Sequence, residues 1–245
     1  MPGFSIPIHK FTSASGVVFF TGAGISSESG ISTFRDPHGY WAKHDPMQLA
    51  SRQGFKADPQ LVLSWYGDRR ESIRGSFPNA GHLAITNFQK LFPHSMVITQ
   101  NVDGLHFEAG NERVIELHGN INRHKCLECG TSIKLDEAQA RTLNFCTCGG
   151  SVRPDVVWFG ERLSMEILNQ AYAAIKSCEL FFSIGTSTQI YPAAQLPFDA
   201  QRHGAYVIEI NPDLTPLSSQ VDLSIRELAG TALPKLYEEF YAGLS

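Results

Sequence analysis

The sequence has no apolar run approaching the roughly 18 residues that cross a bilayer. Its first residues, Met1-Pro-Gly-Phe-Ser-Ile6, carry neither the basic segment nor the apolar core of a secretory signal. No membrane partner is expected, and the cytoplasm is the expected location. Positive charge is also in short supply, with 20 Lys and Arg against 24 Asp and Glu for a net charge of -4. That balance lacks the electrostatic footprint of a nucleic-acid or anionic-lipid binder, so no nucleic-acid partner is expected. Cysteine is scarce, with five in 245 residues, and four of these fall in close pairs. The pattern fits metal binding in a reducing compartment better than a disulfide framework. The fifth, Cys178, precedes the apolar run Leu180-Phe-Phe-Ser-Ile184 and reads as a buried, inert thiol. Internal repeats and low-complexity tracts are absent too. What is present, 42% apolar and 18% charged residues, is the composition of a globular protein with a sizeable core.

Short apolar runs recur along the chain. Gly16-Val-Val-Phe-Phe-Thr21, Met96-Val-Ile-Thr99, Val114-Ile-Glu-Leu117, Leu180-Phe-Phe-Ser-Ile184 and Tyr206-Val-Ile-Glu-Ile210 each end in a polar or glycine-rich segment. They read as buried strands of a parallel sheet. Helical patterns lie over 79–90, 164–176 and 193–202, and another starts at Pro59 after Asp58 and runs to about residue 74. The alternation predicts an α/β fold with right-handed crossovers. Two stretches stand outside it, 34–74 and 122–153, and read as insertions that make a smaller module.

Several polar groups follow the predicted strands. Thr21-Gly22-Ala23-Gly24-Ile25-Ser26 can offer backbone N–H groups and a helix N-terminus to a phosphate. It is an incomplete dinucleotide fingerprint, because Ser27 stands where the third glycine belongs and no acidic residue closes a second strand about twenty positions on. A plain tight turn is therefore equally compatible with these residues. If a dinucleotide binds, Asn211, Thr186 and Ser187, all at C-terminal strand ends, can take the part of the missing acid. Gln100, Asn101, Asp103 and His106 follow the strand at 96–99, and Asn101 with Asp103-Gly104 also suits a simple turn. His118 ends the strand at 114–117, and a near-neutral imidazole is a natural general base for a hydroxyl. Cys126-Leu-Glu-Cys129 and Cys146-Thr-Cys148, sixteen residues apart, can set four thiolates around Zn²⁺ with no position left open for water. A structural metal is expected, with Gly149-Gly150 easing the tight second pair. Tyr66 and Arg69 lie three apart on one helical face. On their own they read as a packed ring and a solvated charge.

Taken together these residues resemble the sirtuins, the NAD-dependent protein deacylases. The matching segments are Gly22-Ala-Gly-Ile-Ser26, Ser29-Gly-Ile31, Thr33-Phe34-Arg35, Thr99-Gln-Asn-Val-Asp-Gly-Leu-His106, His118-Gly119, the four cysteines, Pro154-Asp-Val-Val-Trp-Phe-Gly-Glu161, Gly185-Thr-Ser187 and Asn211, in family order. The resemblance implies a Rossmann-type large domain over 1–34, 75–120 and 154–245. The small domain would comprise a helical and cofactor-loop part over 35–74 and a zinc module over 121–153. NAD and acyl-lysine proteins or peptides would meet in the cleft between the two. His118 would be the base and Asn101 and Asp103 catalytic beside it, with Gln100, Asn101 and Asp103 at the nicotinamide and its ribose and Val102 among the cofactor contacts. Gly22, Ala23, Gly24, Ile25, Ser26, Thr33, Gly185, Thr186, Ser187, Asn211, Pro212, Asp213 and Ala229 would contact the rest of the cofactor. Phe34 and Arg35 would belong to a loop closing over it, and Val157, Trp158, Phe159 and Gly160 would pair with the substrate backbone as an added strand. NAD would be consumed, giving nicotinamide, O-acyl-ADP-ribose and free lysine.

The chain also resembles the class III branch, which prefers acidic acyl groups. Tyr66 and Arg69 match that branch's Tyr-x-x-Arg pair, and Ala50 falls at a small position of the acyl channel if Gly39-Tyr40-Trp41 sets the register. This overturns the reading of Tyr66 and Arg69 as packing and solvated charge. A succinyl, malonyl or glutaryl carboxylate buried without a partner would cost several kcal/mol, whereas a guanidinium and a phenol can pair with it. Asp155 departs from the branch, where histidine is common, and leaves peptide preference open. A monomer is expected. Rival readings on the same scaffold are a non-catalytic NAD or ADP-ribose sensor and an ADP-ribosyl transferase. A dehydrogenase fits least.

Overall fold

All five residues of Val17–Thr21 are buried, and their side chains alternate between two cores. Val17 and Phe19 join Phe88, Phe182 and Phe240 on one face, while Val18 and Phe20 join Ala171, Ile175 and Leu196 on the other. A strand covered on both sides belongs to the parallel sheet that the apolar runs predict. The computed structural model describes residues 4–33 and 45–244. Its strands are β1 (Val17–Thr21), β2 (Met96–Thr99), β3 (Val114–Glu116), β4 (Gly119–Cys126), β5 (Ser132–Ile133), β6 (Val152–Val156), β7 (Leu180–Ile184), β8 (Tyr206–Ile210) and β9 (Leu223–Ile225). Its helices are α1 (Pro46–Leu49), α2 (Arg52–Ala57), α3 (Pro59–Arg74), α4 (Ala80–Leu91), α5 (Leu105–Glu108), α6 (Met165–Lys176), α7 (Leu196–Arg202) and α8 (Ala229–Leu244). No described helix is long and apolar enough to cross a membrane.

Six strands form one parallel sheet in the order β3-β2-β1-β7-β8-β9. Counted within that sheet, this is the Rossmann order, and the winding reverses between β1 and β7. Helices α4 and α8 supply the first core, and α6 and α7 the second. Every strand expected from the sequence is present. The helix expected over 193–202 begins as a 3-10 turn, Ala193–Gln195, and becomes α-helical only at Leu196. The segment after β1 is likewise a 3-10 helix, Ala23–Ser29, closed by Gly30 at φ +82°.

A second, antiparallel sheet in the order β5-β4-β6 holds the cysteines. It starts at Gly119, immediately after His118. Gly119 has φ +81°, and a Cβ there would lie 2.0 Å from the Asp155 carbonyl oxygen. Only glycine lets the chain leave β3 and cross onto β6 at once. Gly119 then lies opposite Val156, and Val157 N–H donates to the His118 carbonyl at 2.9 Å. Ile121, Leu127, Val156 and Trp158 share a third core with Leu49, Phe55, Val62, Leu63 and Tyr66 from α1–α3. The two stretches that break the strand–helix alternation therefore pack on each other.

Helix α3 starts where Asp58 and Pro59 predict, with the Asp58 side chain accepting from Leu61 N–H at 2.9 Å. Arg141 of the cysteine-bearing stretch ties it down, reaching Asp68 and Glu71 at 2.8 Å each. The Arg141 side chain lies across Gly67, where a Cβ would come within 2.7 Å of its guanidinium.

Gly119→Ala is expected to destabilise the fold by at least about 1–3 kcal/mol through backbone conformation alone, before the collision with Asp155 is counted. Urea unfolding measures it, and an unchanged midpoint would contradict the crossing geometry.

Candidate active site

At the winding reversal the turns after β1 and β7 touch. A Cβ on Gly22 would lie 2.8 Å from Gly185 O, and one on Gly24 would lie 2.6 Å from Gly185 Cα. Gly24 N–H donates to Gly185 O at 2.8 Å. Gly185 itself has φ +58°. The three glycines thus let two backbones meet at the C-terminal sheet edge, where open α/β sheets hold ligands. Gln100 Nε2 reaches Thr186 Oγ1 at 2.8 Å, and Asn211 Nδ2 donates to Thr186 O at 3.0 Å. The turns after β1, β2, β7 and β8 are thereby linked into one polar edge.

Asn101 and Asp103 are both buried there. Asn101 Nδ2 donates to Gly22 O and to Ser26 Oγ, each at 3.1 Å, and Ser26 Oγ donates to Asp103 Oδ2 at 2.8 Å. The other Asp103 oxygen accepts Leu105 N–H at 3.0 Å. Burial pushes the Asp103 carboxyl above its ordinary range, and those two hydrogen bonds offset only part of the shift. Beneath these groups lies a layer that the sequence did not reveal. Thr21 Oγ1 contacts Thr99 Oγ1 at 2.8 Å and His106 Nε2 at 2.9 Å, and His82 packs edge-on against His106. Thr99 Oγ1 in turn accepts Asn101 N–H at 3.1 Å. Burial holds both histidines below the usual imidazole value, His82 at about 4. Their sequence signal was present in Asn79-Ala-Gly-His82 and Leu105-His106, but nothing in it links the two segments.

His118 sits half-buried at the same edge, with Nδ1 2.9 Å from the Gln100 carbonyl. A carbonyl only accepts, so Nδ1 carries the proton and Nε2 keeps its lone pair. Burial lowers the His118 pKa, outweighing the opposing pull of the Gln100 carbonyl. The ring is therefore neutral near pH 7 and able to take a proton at Nε2.

The four cysteine sulfurs lie within 4.8 Å of one another. Cys126–Cys148 and Cys129–Cys148 are 3.5 Å apart and Cys129–Cys146 3.7 Å. Four sulfurs about 2.3 Å from a tetrahedral zinc would be roughly 3.8 Å apart, so the set fits that ion. Gly150 is needed for the close approach, since a Cβ there would lie 2.7 Å from Cys126 Sγ. Cys178 is buried away from the metal set, and burial pushes its thiol up to about 12. It is the inert thiol expected.

Tyr66 is buried, and its hydroxyl oxygen accepts the Trp158 indole N–H at 2.9 Å. Arg69 is half-buried one turn along, with Nη2 3.5 Å from Ser32 O. Its charge is felt by both Tyr66 and Asp103. Ala50 is buried beside them, and its carbonyl accepts Phe159 N–H at 2.8 Å. The segment 157–160 therefore joins the α1–α2 turn on one side and His118 on the other. Asp155 pairs with Lys125 at 2.9 Å and Arg123 at 3.3 Å.

The remaining expected contacts are more scattered. Ile25 is buried in the first core, and the Val102 carbonyl accepts Ile121 N–H. Asp213 N–H donates to Asn211 Oδ1 at 3.1 Å, next to Pro212. Ala229 is buried at the start of α8, against Gly81. Thr33 is half-buried beside Ser32. Phe34 and Arg35, and the register residues Gly39, Tyr40 and Trp41, lie outside the described residues. The close glycine turns and the buried amide, carboxyl and imidazole groups at one sheet edge fit a dinucleotide.

The Sir2 family profile matches residues 22–192. An NAD-dependent protein deacylase of Aquifex aeolicus is 45% identical over 227 residues, covering 91% of this chain and 94% of that one. One from Mycolicibacterium paratuberculosis is 44% identical over 94% of this chain and 99% of its own length. Among solved structures, a Sir2 homologue in complex with NAD superposes with a TM-score of 0.89 at 38% identity, covering 99% and 96% of the two chains. A Sir2 variant bound to a deacetylated peptide and 3′-O-acetyl-ADP-ribose gives 0.80 at 28% identity, covering 94% of each.

Metal analysis of the purified protein is expected to return one zinc per chain, and chelation to unfold the small sheet, read as loss of amide-exchange protection over β4–β6. Active protein without metal would contradict this.

Proposed function

The chain belongs to the Sir2 family, and from that premise we propose that it is an NAD-dependent protein deacylase that accepts succinyl-, malonyl- and glutaryl-lysine as well as acetyl-lysine. The observation that carries the acidic-acyl reading is the pairing of Tyr66 with Arg69. One is a buried phenol that shares a core with Ala50 and Trp158, and the other is a guanidinium one helical turn away on α3. A terminal carboxylate leaving water needs such partners, because an uncompensated buried charge costs several kcal/mol. An acetyl group makes no comparable demand.

NAD, when bound, supplies a glycosidic bond to nicotinamide whose cleavage lets the acyl oxygen join the ribose. The chain's own residues then have distinct tasks. The Gly22–Gly24 and Gly185 turns admit the cofactor backbone. Asn101 and Asp103, braced by Ser26, hold the nicotinamide end. His118 accepts a proton from a ribose hydroxyl at Nε2, with its tautomer set by the Gln100 carbonyl. Backbone of 157–160 aligns the peptide, and the apolar cleft walls exclude water from the reacting carbon. A non-catalytic sensor would have no need of an imidazole held in the basic tautomer. Formation of O-acyl-ADP-ribose, read by product mass spectrometry, separates deacylation from transfer of ADP-ribose to a protein.

His118→Ala is expected to lower kcat/KM by about 10²–10⁴-fold while the unfolding midpoint stays within error. Because burial depresses this pKa, the basic form persists to lower pH, so the acid limb of the wild-type kcat/KM profile should lie below the ordinary imidazole value of 6.5. A limb centred above that value would count against His118 as the base. Arg69→Met is expected to reduce desuccinylation about tenfold to hundredfold and to leave deacetylation measurable. Equal losses on succinyl- and acetyl-peptides would refute the carboxylate clamp.

A further inference from the structure

Trp158 lies in the segment expected to pair with substrate, yet its indole turns inward and is only 2% exposed. Indole N–H is solely a donor, so the direction of the 2.9 Å bond to Tyr66 is fixed: Trp158 gives and Tyr66 Oη receives. The phenol proton is left over, and no acceptor among the described residues takes it. Burial also keeps that phenol neutral, far above its ordinary range, with the Trp158, Arg153 and Arg69 contacts offsetting only part of the shift.

The indole is itself held from several directions. The Arg153 guanidinium sits 3.2 Å from the indole ring centre, and Phe55 packs with centroids 5.3 Å apart. Trp158 backbone N–H donates to Glu161 at 2.9 Å, and the same carboxylate pairs with Arg153 at 2.6 Å. The Arg153 guanidinium also donates to the Pro154 and Val156 carbonyls. Its charge is thus consumed in fixing the indole.

We propose that Trp158 is a positioning residue for acyl-group selection. By donating to Tyr66 Oη, it occupies an acceptor site of that hydroxyl and leaves the O–H proton to be given to the acyl group. A phenol that receives a hydrogen bond is also polarised into a stronger donor. Beside Arg69, such a hydroxyl adds a second donor for carboxylate oxygens and has nothing to offer a methyl group. Selectivity for an acidic acyl end therefore extends beyond the Tyr66–Arg69 pair to a residue of the segment that follows β6. The inference rests on the reading of Tyr66 and Arg69 as the acyl-recognising pair.

The test replaces Trp158 with β-(3-benzothienyl)alanine, which keeps the ring shape and exchanges the N–H for sulfur, alongside Trp158→Phe. Kinetics are measured on one peptide carrying succinyl- or acetyl-lysine. The succinyl-to-acetyl ratio of kcat/KM should fall about three- to tenfold, with the loss in the succinyl KM and not in kcat. Adding Tyr66→Phe should produce no further drop beyond that of Tyr66→Phe alone. An unchanged ratio in the benzothienyl protein, with Tyr66→Phe still discriminating, overturns the proposal and leaves the acyl reading standing. Equal losses on both peptides reduce Trp158 to a packing role and overturn it as well. If neither Tyr66→Phe nor Arg69→Met discriminates, the acyl reading falls and the proposal falls with it.

Discussion

A single backbone contact organises the cleft. Gly119 lies so close to the Asp155 carbonyl that any side chain would occupy the same space, and its positive φ turns the chain directly from the large sheet onto β6. His118 is thereby left at the sheet edge, one residue before the crossing. The returning strand delivers Val157 to the His118 carbonyl and Phe159 to that of Ala50. His118, the segment proposed to align peptide and the wall bearing Tyr66 are all positioned by this one crossing. The cysteines follow His118 so closely for the same reason: the chain must build the small sheet as soon as it leaves the large one.

The metal module also reaches the chemistry through α3. Arg141 lies across Gly67 between Asp68 and Glu71, while Arg70 and Arg74 reach back to Glu137. The exposed pairs among these contribute little singly, and Arg70 is buried, but together they hold a helix whose other face carries Tyr66 and Arg69. At the C-terminal edge of the large sheet, Asn101 is braced by Ser26 and by the Thr99 hydroxyl beneath it, and Asp103 by Ser26 and the Leu105 N–H. Buried polar groups satisfied in this way hold one geometry, which the proposed reaction at a defined ribose carbon would require.

Much of this was legible in the sequence because it is local. A buried apolar run followed by glycine announces a parallel strand and its ligand-facing end, and the paired cysteines announce a tetrahedral site. Tyr66 and Arg69 were legible as a pair only through family resemblance, since helical spacing alone suits packing and a solvated charge equally well. The Trp158–Tyr66 bond joins residues 92 positions apart and leaves no local trace. Strand β4 was missed because its register shifts between Asn120 and His124, which breaks the alternation that marks a strand. Strand β9 is only three residues long, and α8 contains Gly230, Pro234 and Gly243, which punctuate its pattern. The His82–His106–Thr21–Thr99 layer draws on three separate segments, Thr21, His82 and the stretch from Thr99 to His106, and only the folded sheet brings them together.

The central claim is that a cleft built by the Gly119 crossing presents a carboxylate-recognising wall to the acyl group. The most direct measurement is steady-state kinetics of the wild-type protein with NAD and one peptide bearing, in turn, succinyl-, malonyl-, glutaryl- and acetyl-lysine. The account predicts O-acyl-ADP-ribose from each, with kcat/KM for at least one acidic acyl group above that for acetyl. Efficient deacetylation with no measurable turnover of any acidic acyl group would contradict it.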